Sequence, residues 1–140
     1  MENGTIGDSK GTVSLASGKQ TALLASESSV HLWDLERNAC FLQTNFSKLD
    51  SQSEKALYAA SINPDGNSLI CAFEDKVKIY KILLTKLRFI AEFSIKKCNQ
   101  LLYSHGGQYV ACKYGKGANS SVTILNTLRM TEITTLKTHA

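Results

Sequence analysis

The sequence has a single proline, no closely spaced cysteine pair and no long run of uncharged apolar residues. Hydrophobic residues are 43% of the 140 positions and charged residues 20%, which is typical of a globular chain. This composition excludes collagen-like, proline-rich and generally disordered proteins. The most apolar stretch, residues 79–93, contains three basic side chains and one acidic one, so no membrane-spanning helix is predicted.

The N-terminus lacks the basic start and apolar stretch of a secretory signal, which predicts a cytoplasmic protein. Its four cysteines are then expected to stay reduced and to act as small apolar residues. They are Cys40, Cys71, Cys98 and Cys112.

Charge is unevenly distributed along the chain. The net charge is +4, but residues 1–55 carry 5 basic and 7 acidic side chains (5 − 7 = −2), whereas residues 56–140 carry 11 and 5 (11 − 5 = +6). A basic half can attract an acidic partner such as RNA, or it can be a solvated lysine-rich β surface. Both interpretations stay open from charge alone.

Hydrophobic patterning predicts strands throughout. Short runs rich in Val, Ile, Leu, Tyr and Phe alternate with Gly, Asn, Asp and Ser. Residues 79–90 also fit a helical period, but the flanking strands favour a strand, a turn near Thr85 and another strand. The twelve predicted strands are 12–16, 21–26, 29–35, 40–46, 57–62, 68–74, 76–83, 88–95, 100–104, 108–114, 121–126 and 130–136.

Internal repetition is the main signal for the fold. Segments 27–33, 74–80 and 119–125 align, with valines at 30, 77 and 122, and a glycine-containing turn precedes each segment. Four strands in about 45 residues is the period of a β-propeller blade. The predicted fold is therefore all-β, with about three four-stranded antiparallel blades.

The repeats predict the organisation of the chain. Residues 1–11 form a tail, 12–46 blade one, 47–55 a polar connector, 56–97 blade two and 98–137 blade three, and 138–140 begin a further blade. Three blades do not close a propeller, which typically needs four to eight. We therefore expect a segment of a longer protein, with self-association of a small protein as the rival interpretation.

The segment Val-His-Leu-Trp-Asp at 30–34 resembles the signature of WD-repeat proteins. The resemblance covers about residues 12–140 and weakens in blades two and three, where the signature pair is Tyr80-Lys81 and Leu125-Asn126. It predicts that Trp33 is at least partly buried between blades, so that Trp33→Ala costs about 3 kcal/mol. The repeat positions that it implies are Glu27, Trp33, Asp34, Gly66, Glu74, Tyr80, Gly107, Asn119 and Leu125.

Residues 63–112 more closely resemble the large WD-repeat proteins of the cilia- and flagella-associated group. The matching residues are Phe73, Asp75, Lys76, Leu83, Leu84, Leu87, Arg88, Glu92, Lys96, Cys98, Ser104, Gly106 and Gly107. This resemblance implies a scaffold in the axoneme of a cilium or flagellum. The implied partners are dynein-arm bases, tubulin and regulatory subunits.

Catalytic patterns are weak in this sequence. His31 lies on a predicted strand and His105 in a glycine turn, and residues 29, 31 and 34 do not share a strand face as a triad would require. We expect no enzyme activity, metal or cofactor. Lys96, Lys97 and Lys116 are candidate contact residues, the last in an enlarged hairpin at 115–117. The leading function is a protein–protein scaffold, and the alternative is an adaptor that binds RNA or ribonucleoprotein through the basic half.

Overall fold

The computed structural model describes residues 12–46, 56–115 and 119–137. These residues form twelve strands, and the turn expected near Thr85 lies between the seventh and eighth. The predicted tail, connector and start of a further blade, together with Lys116, lie outside the described residues. The strands are β1 (Thr12–Ala16), β2 (Thr21–Ala25), β3 (Ser29–Asp34), β4 (Ala39–Asn45), β5 (Ala59–Ile62), β6 (Ser68–Ala72), β7 (Val77–Ile82), β8 (Leu87–Phe93), β9 (Gln100–Tyr103), β10 (Tyr109–Tyr114), β11 (Ser121–Asn126) and β12 (Thr131–Lys137).

The strands form three antiparallel sheets of four, each in chain order. Blade one is β1–β4, blade two is β5–β8 and blade three is β9–β12. Neighbouring strands of a blade are separated by only three to six residues, which suits antiparallel pairing. The predicted all-β fold of three four-stranded antiparallel blades is confirmed.

The blades are stacked in the order one, two, three. Strand β5 contacts both β1 and β9, so the first strand of each blade lies on the inside of the stack. One hydrophobic cluster joins blades one and two, and a second joins blades two and three. We call the face of a blade that looks towards the preceding blade its front and the opposite face its back.

Side-chain alternation assigns residues to these faces. In blade two, Leu69 and Cys71 pack forward against blade one, whereas Ile70 and Ala72 pack backward against blade three. The two sets alternate along β6 because successive strand residues point to opposite faces. An apolar residue at nearly every position is what a strand buried on both faces requires.

Each blade has a register shift at the same repeat position. It falls between Leu32 and Trp33 in blade one, between Ile79 and Tyr80 in blade two, and at the matching pair in blade three. A bulge inserts one unpaired residue on one strand and increases the local twist. The residue at the signature position, Trp33, Tyr80 or Leu125, therefore directly follows the register shift of its blade.

Candidate functional site: the turns and open faces of the blades

The turns between the second and third strands hold the chain that leads into the next blade. The carbonyl oxygen of Glu27 accepts the Leu57 amide at 2.7 Å, and that of Glu74 accepts the Lys97 amide at 2.9 Å. The Glu74 carboxylate also accepts the Tyr58 hydroxyl and lies 3.9 Å from Lys97 Nζ. Two predicted repeat positions therefore anchor the chain shortly before β5 and β9.

The hydrogen bond to Glu74 raises the pKa of Tyr58, because the carboxylate favours the protonated phenol. Asn119, the third residue of this repeat position, lies in the turn after β10. A Cβ placed on Gly115 would be 2.4 Å from the Asn119 carbonyl oxygen. Gly115 has a φ of 90°, so both its backbone conformation and this contact favour glycine.

The turns between the third and fourth strands are capped by a side chain in the outer blades. Asp34 Oδ1 accepts the amides of Glu36 and Arg37 at 3.0 and 3.2 Å. Asn126 Oδ1 accepts those of Leu128 and Arg129 at 2.9 and 3.0 Å. Asp and Asn both form such local turns.

Blade two has Lys81 at this position and closes its turn differently. There the Leu83 amide donates to the Lys86 carbonyl at 2.9 Å. Sequence reasoning missed Asn126 as a functional equivalent of Asp34. The available signal was its place in the aligned repeat, where either residue can cap a turn.

The turns between the first and second strands contact one another across the blades. The Gly18 amide donates to the Pro64 carbonyl at 2.6 Å, and Asn63 Nδ2 donates to the Gly107 carbonyl at 2.9 Å. Gly107 has a φ of 77°, and a Cβ there would be 2.2 Å from Asn63 Oδ1. Gly66 also has a positive φ, of 74°. Asn63, which is buried and links two blades, was not singled out from the sequence.

The signature position differs sharply between blades. Tyr80 is buried in the cluster between blades one and two, and Leu125 in the cluster between blades two and three. Trp33 is half-buried, as expected, but belongs to neither cluster. Trp33 lies on the front of blade one, which corresponds to the covered fronts of blades two and three, and no other described blade lies against it. Its place between two blades therefore stays a prediction.

The open front face of blade one is largely apolar. It consists of Val13, Leu15, Leu24, His31 and Trp33, which pair across β1, β2 and β3 directly or through Ala22. Leu15 is 63% exposed, and Trp33 Nε1 is buried without a hydrogen-bond partner. A depression of about 280 Å³ lies on this face, lined by Thr12, Val13, Leu24, Ala25, Ser26, Ser29 and His31.

The open back face of blade three is its counterpart. It consists of Leu102, Ala111, Val122, Ile124 and Leu136, which are directly paired neighbours across β9 to β12. Leu102 is 65% exposed and Leu136 55%. All seven residues of β12 are exposed. The described residues place no further blade against this face.

One rim of the stack exposes a leucine in the third turn of each blade. Leu35 is 52% exposed, Leu84 91% and Leu128 75%. Arg37, Lys86 and Arg129 are exposed in the same three turns. We call these six residues the leucine rim. The leucine rim was not predicted from the sequence, although its residues lie in turns that align in the repeat.

The remaining candidates are dispersed. Lys96 and Lys97 are exposed, and Lys97 forms an ion pair with Glu74.

Three of the cysteines, Cys71, Cys98 and Cys112, are buried in apolar surroundings, as expected, and burial raises the pKa of Cys71. Cys40 is a free cysteine as well, but it is exposed because it lies on β4, the outer strand of blade one. Among the described residues, no group of three acidic, histidine or cysteine side chains is placed to hold a metal ion. Nor does the described part contain a helix long and apolar enough to cross a bilayer.

Comparison with known proteins gives two curated relatives and many similar structures. The chain is 25% identical over 118 residues to cilia- and flagella-associated protein 57 of Mus musculus, covering 84% of this chain and 9% of that protein. It is 29% identical over 90 residues to cilia- and flagella-associated protein 57 A of Tetrahymena thermophila, and this match covers 64% of this chain and 6% of that protein. The chain thus spans less than a tenth of each relative. No family model matches.

Two of the similar solved structures are named as a propeller domain and as WD40 repeats. The WD40 repeats of RRP9 match with a TM-score of 0.68 at 16% identity, covering 89% of this chain and 37% of that one. The propeller domain of Cps50 (Swd1) from Myceliophteria thermophila matches with a TM-score of 0.62 at 11% identity, and the match covers 91% of this chain and 42% of that one. Kuenenia stuttgartiensis hydrazine synthase matches with a TM-score of 0.68 at 15% identity, and the match covers 88% of this chain and 34% of that one. At these identities the likeness shows the fold alone. Together the comparisons confirm the WD-repeat interpretation and the relation to the cilia- and flagella-associated group.

Proposed function

We propose that this chain, a WD40 β-propeller segment related to cilia- and flagella-associated protein 57, is a non-catalytic protein–protein interaction scaffold of the axoneme. In this proposal it contributes to the regulation of dynein. Its partners are other axonemal proteins, of which dynein-arm bases, tubulin and regulatory subunits are the candidates.

The relation to a ciliary protein over 84% of the chain is the observation that carries the cellular location. The binding role draws support from the geometry. The blades are held by turn-to-turn hydrogen bonds, so the loops between strands sit on a fixed frame. Binding residues are often on loops positioned by such a scaffold.

The leucine rim is the surface that we assign to partner binding. Leu35, Leu84 and Leu128 are 52%, 91% and 75% exposed in equivalent turns, and exposed apolar side chains that recur along one rim can together form an interaction surface. Arginine or lysine in each turn complements an acidic partner and would speed its association. The exposed basic side chains of blades two and three thus serve protein binding in this proposal.

Catalysis has little support. One similar structure is an enzyme, hydrazine synthase, but 15% identity relates it to this chain only in fold. The two described histidines are on different blades, His31 on β3 and His105 in the turn before β10. A scaffold is therefore the function that the geometry supports best.

The test is fractionation of isolated cilia or flagella followed by immunoblotting with an antibody against this chain. We expect the protein in the detergent-resistant axonemal fraction. Detection only in the cytosol would contradict the proposal. Release by ribonuclease, or RNA binding that falls steeply with salt, would instead favour the RNA-adaptor alternative.

A second measurement assigns the surface. Recombinant protein with Leu84→Glu and Leu128→Glu should retain less than about a tenth of its binding to purified axonemes, because two charges replace apolar contacts. The matched control is Leu24→Glu, on a different face of the molecule. Equal binding by rim variant and parent would exclude the leucine rim as the binding surface.

A further inference from the structure

The third turn of blade two carries a positive charge that the matching turns do not have. Residues 81–88 contain three basic side chains and no acidic one (3 − 0 = +3). The aligned residues 34–41 of blade one contain one basic and two acidic side chains (1 − 2 = −1), and residues 126–133 of blade three contain one of each (1 − 1 = 0). The leucine rim is therefore strongly basic at its middle turn alone.

Strand pairing brings two of these charges together. Lys81 lies directly opposite Arg88 in the register of β7 and β8, and both side chains are exposed. Like charges directly opposite each other disfavour a strand pair. Blade one avoids this situation, because Arg37 lies 3.8 Å from a carboxylate oxygen of Asp34 in its own turn. No carboxylate of the described residues lies within ion-pair distance of Lys81 or Arg88.

Leu84 stands at the tip of this basic turn. At 91% exposure it is the most exposed large apolar side chain of the described residues. The turn beneath it is closed by the Leu83 amide, which donates to the Lys86 carbonyl at 2.9 Å. Because blade two is covered by a neighbour on each face, the exposure of Leu84 is a property of the turn itself.

We infer that the third turn of blade two binds an acidic peptide segment of a partner protein. In this arrangement carboxylates of the partner pair with Lys81 and Arg88, and an apolar side chain of the partner contacts Leu84. An arginine guanidinium can bind a carboxylate through two parallel hydrogen bonds, and complementary charge sets the register of such a contact. The inference deepens the binding role proposed for the leucine rim and rests on it.

The composition of the turn favours a peptide over RNA. Single-stranded nucleic acid is held by basic side chains together with aromatic rings on which its bases stack. Residues 81–88 contain no aromatic side chain. Of the two adjoining aromatics, Tyr80 is buried, and Phe89 packs edge-on against Tyr80 and lies under Lys78. The exposed group that the turn offers beside its charges is therefore an aliphatic one.

The experiment is fluorescence anisotropy with the purified 140-residue chain and a labelled synthetic peptide. The probe is a peptide of about twelve residues in which glutamates flank a central leucine, and its control has glutamine in place of every glutamate. We expect the acidic peptide to bind with a Kd below about 1 mM and the control at least about tenfold more weakly. Equal binding of the two peptides, or none of the acidic peptide at about 1 mM, overturns the inference.

Paired variants locate the site. Lys81→Gln with Arg88→Gln should weaken binding of the acidic peptide at least about tenfold. The matched control is Lys96→Gln with Lys113→Gln, which removes the same charge from exposed positions outside this turn and should change binding by less than about threefold. Thermal unfolding verifies that both variants remain folded. Equal weakening by the two pairs would mean attraction by net charge without a site, and it overturns the inference.

The apolar contact is tested by changing both of its sides. Leu84→Ser should weaken binding of the leucine-containing peptide about threefold or more, because the exposed leucine loses an apolar partner. The same variant should leave unchanged the binding of a peptide in which serine replaces the central leucine. An equal loss with both peptides, or no loss with either, would exclude contact between the two leucines.

An oligouridine of the same length distinguishes the other class of partner. Tighter binding of this RNA than of the acidic peptide, lost in the Lys81→Gln, Arg88→Gln variant, overturns the inference in favour of nucleic acid. Axoneme binding separates the inference from the proposed function. Loss of axoneme binding in the Leu84→Glu, Leu128→Glu variant, with no binding of the acidic peptide by the parent, would overturn the acidic partner and leave the rim as the binding surface. Peptide binding at Lys81 and Arg88 with unchanged axoneme binding by that rim variant would support the inference and contradict the assignment of the rim to axonemal partners.

Discussion

Blade two and the two outer blades share one topology but differ in how much of each strand is buried. All four residues of β5 are buried, whereas β1 and β9, the equivalent first strands of the outer blades, have one buried residue each. The difference does not arise within the blades, because each has the same strand order and a bulge at the same place. It arises from neighbours, since blade two is covered on both faces and the outer blades on one.

The largest difference in stability between the middle blade and an outer blade is expected at the signature position. Tyr80→Ala should lower the free energy of unfolding by about 3–5 kcal/mol, because it removes a buried ring that packs near Phe46 and Phe89. Trp33→Ala should cost about 1–2 kcal/mol, because Trp33 is only half-buried. Urea denaturation measures both.

Equal losses for Tyr80→Ala and Trp33→Ala would mean that the front of blade one is covered as fully as the front of blade two. The distinction between middle and outer blades would then fail at its most informative residue.

A second pair of residues compares the back faces of blades two and three. Ile79 and Ile124 occupy the same place in the repeat, two residues after Val77 and Val122, but Ile79 is 1% exposed and Ile124 half-buried. Ile79→Ala should cost about 2–4 kcal/mol and Ile124→Ala less than about half of that. Denaturation of monomeric protein checks the ratio, and a larger loss at Ile124 would reverse the comparison.

The sequence alone predicts the strands and their repeat well, because both depend on local alternation. Val30, Val77 and Val122 identify three equivalent strands without any knowledge of contacts. Sequence alone does not reveal which face of a strand is covered, because this depends on a blade about 45 residues away. Trp33 is half-buried, as predicted, but the strand pattern alone does not show what lies against its face.

The turns show the same limit in another form. The aligned repeat placed Asn126 at the position of Asp34, but only its contacts show that it caps the turn as Asp34 does. Asn63 reaches Gly107 across 44 positions of sequence, and no local pattern encodes that contact. The leucine rim likewise becomes a surface only when three separate turns are placed on one edge.

Adjacent glycines test whether the turn contacts stabilise the stack. Gly107→Ala should cost about 1–3 kcal/mol, because the position has a left-handed φ and a Cβ would collide with Asn63 Oδ1. Gly106→Ala should change stability by less than about 0.5 kcal/mol, since a Cβ there meets nothing within 4 Å. Thermal unfolding distinguishes them, and equal effects would show that the contact between blades two and three adds no stability.

The smallest expected effect concerns the capped turns, where the outer blades have a feature that blade two lacks. Asp34→Ala and Asn126→Ala should each cost about 1 kcal/mol, because each leaves two turn amides without a side-chain acceptor. Lys81→Ala, at the matching position of blade two, should be nearly neutral, since Lys81 is exposed and its turn is closed by backbone atoms. Asn126→Asp should retain the cap and restore most of the loss. If Lys81→Ala costs as much as Asp34→Ala, the three turns do not differ in the way that their hydrogen bonds indicate, and the outer blades differ from blade two only in the coverage of their faces.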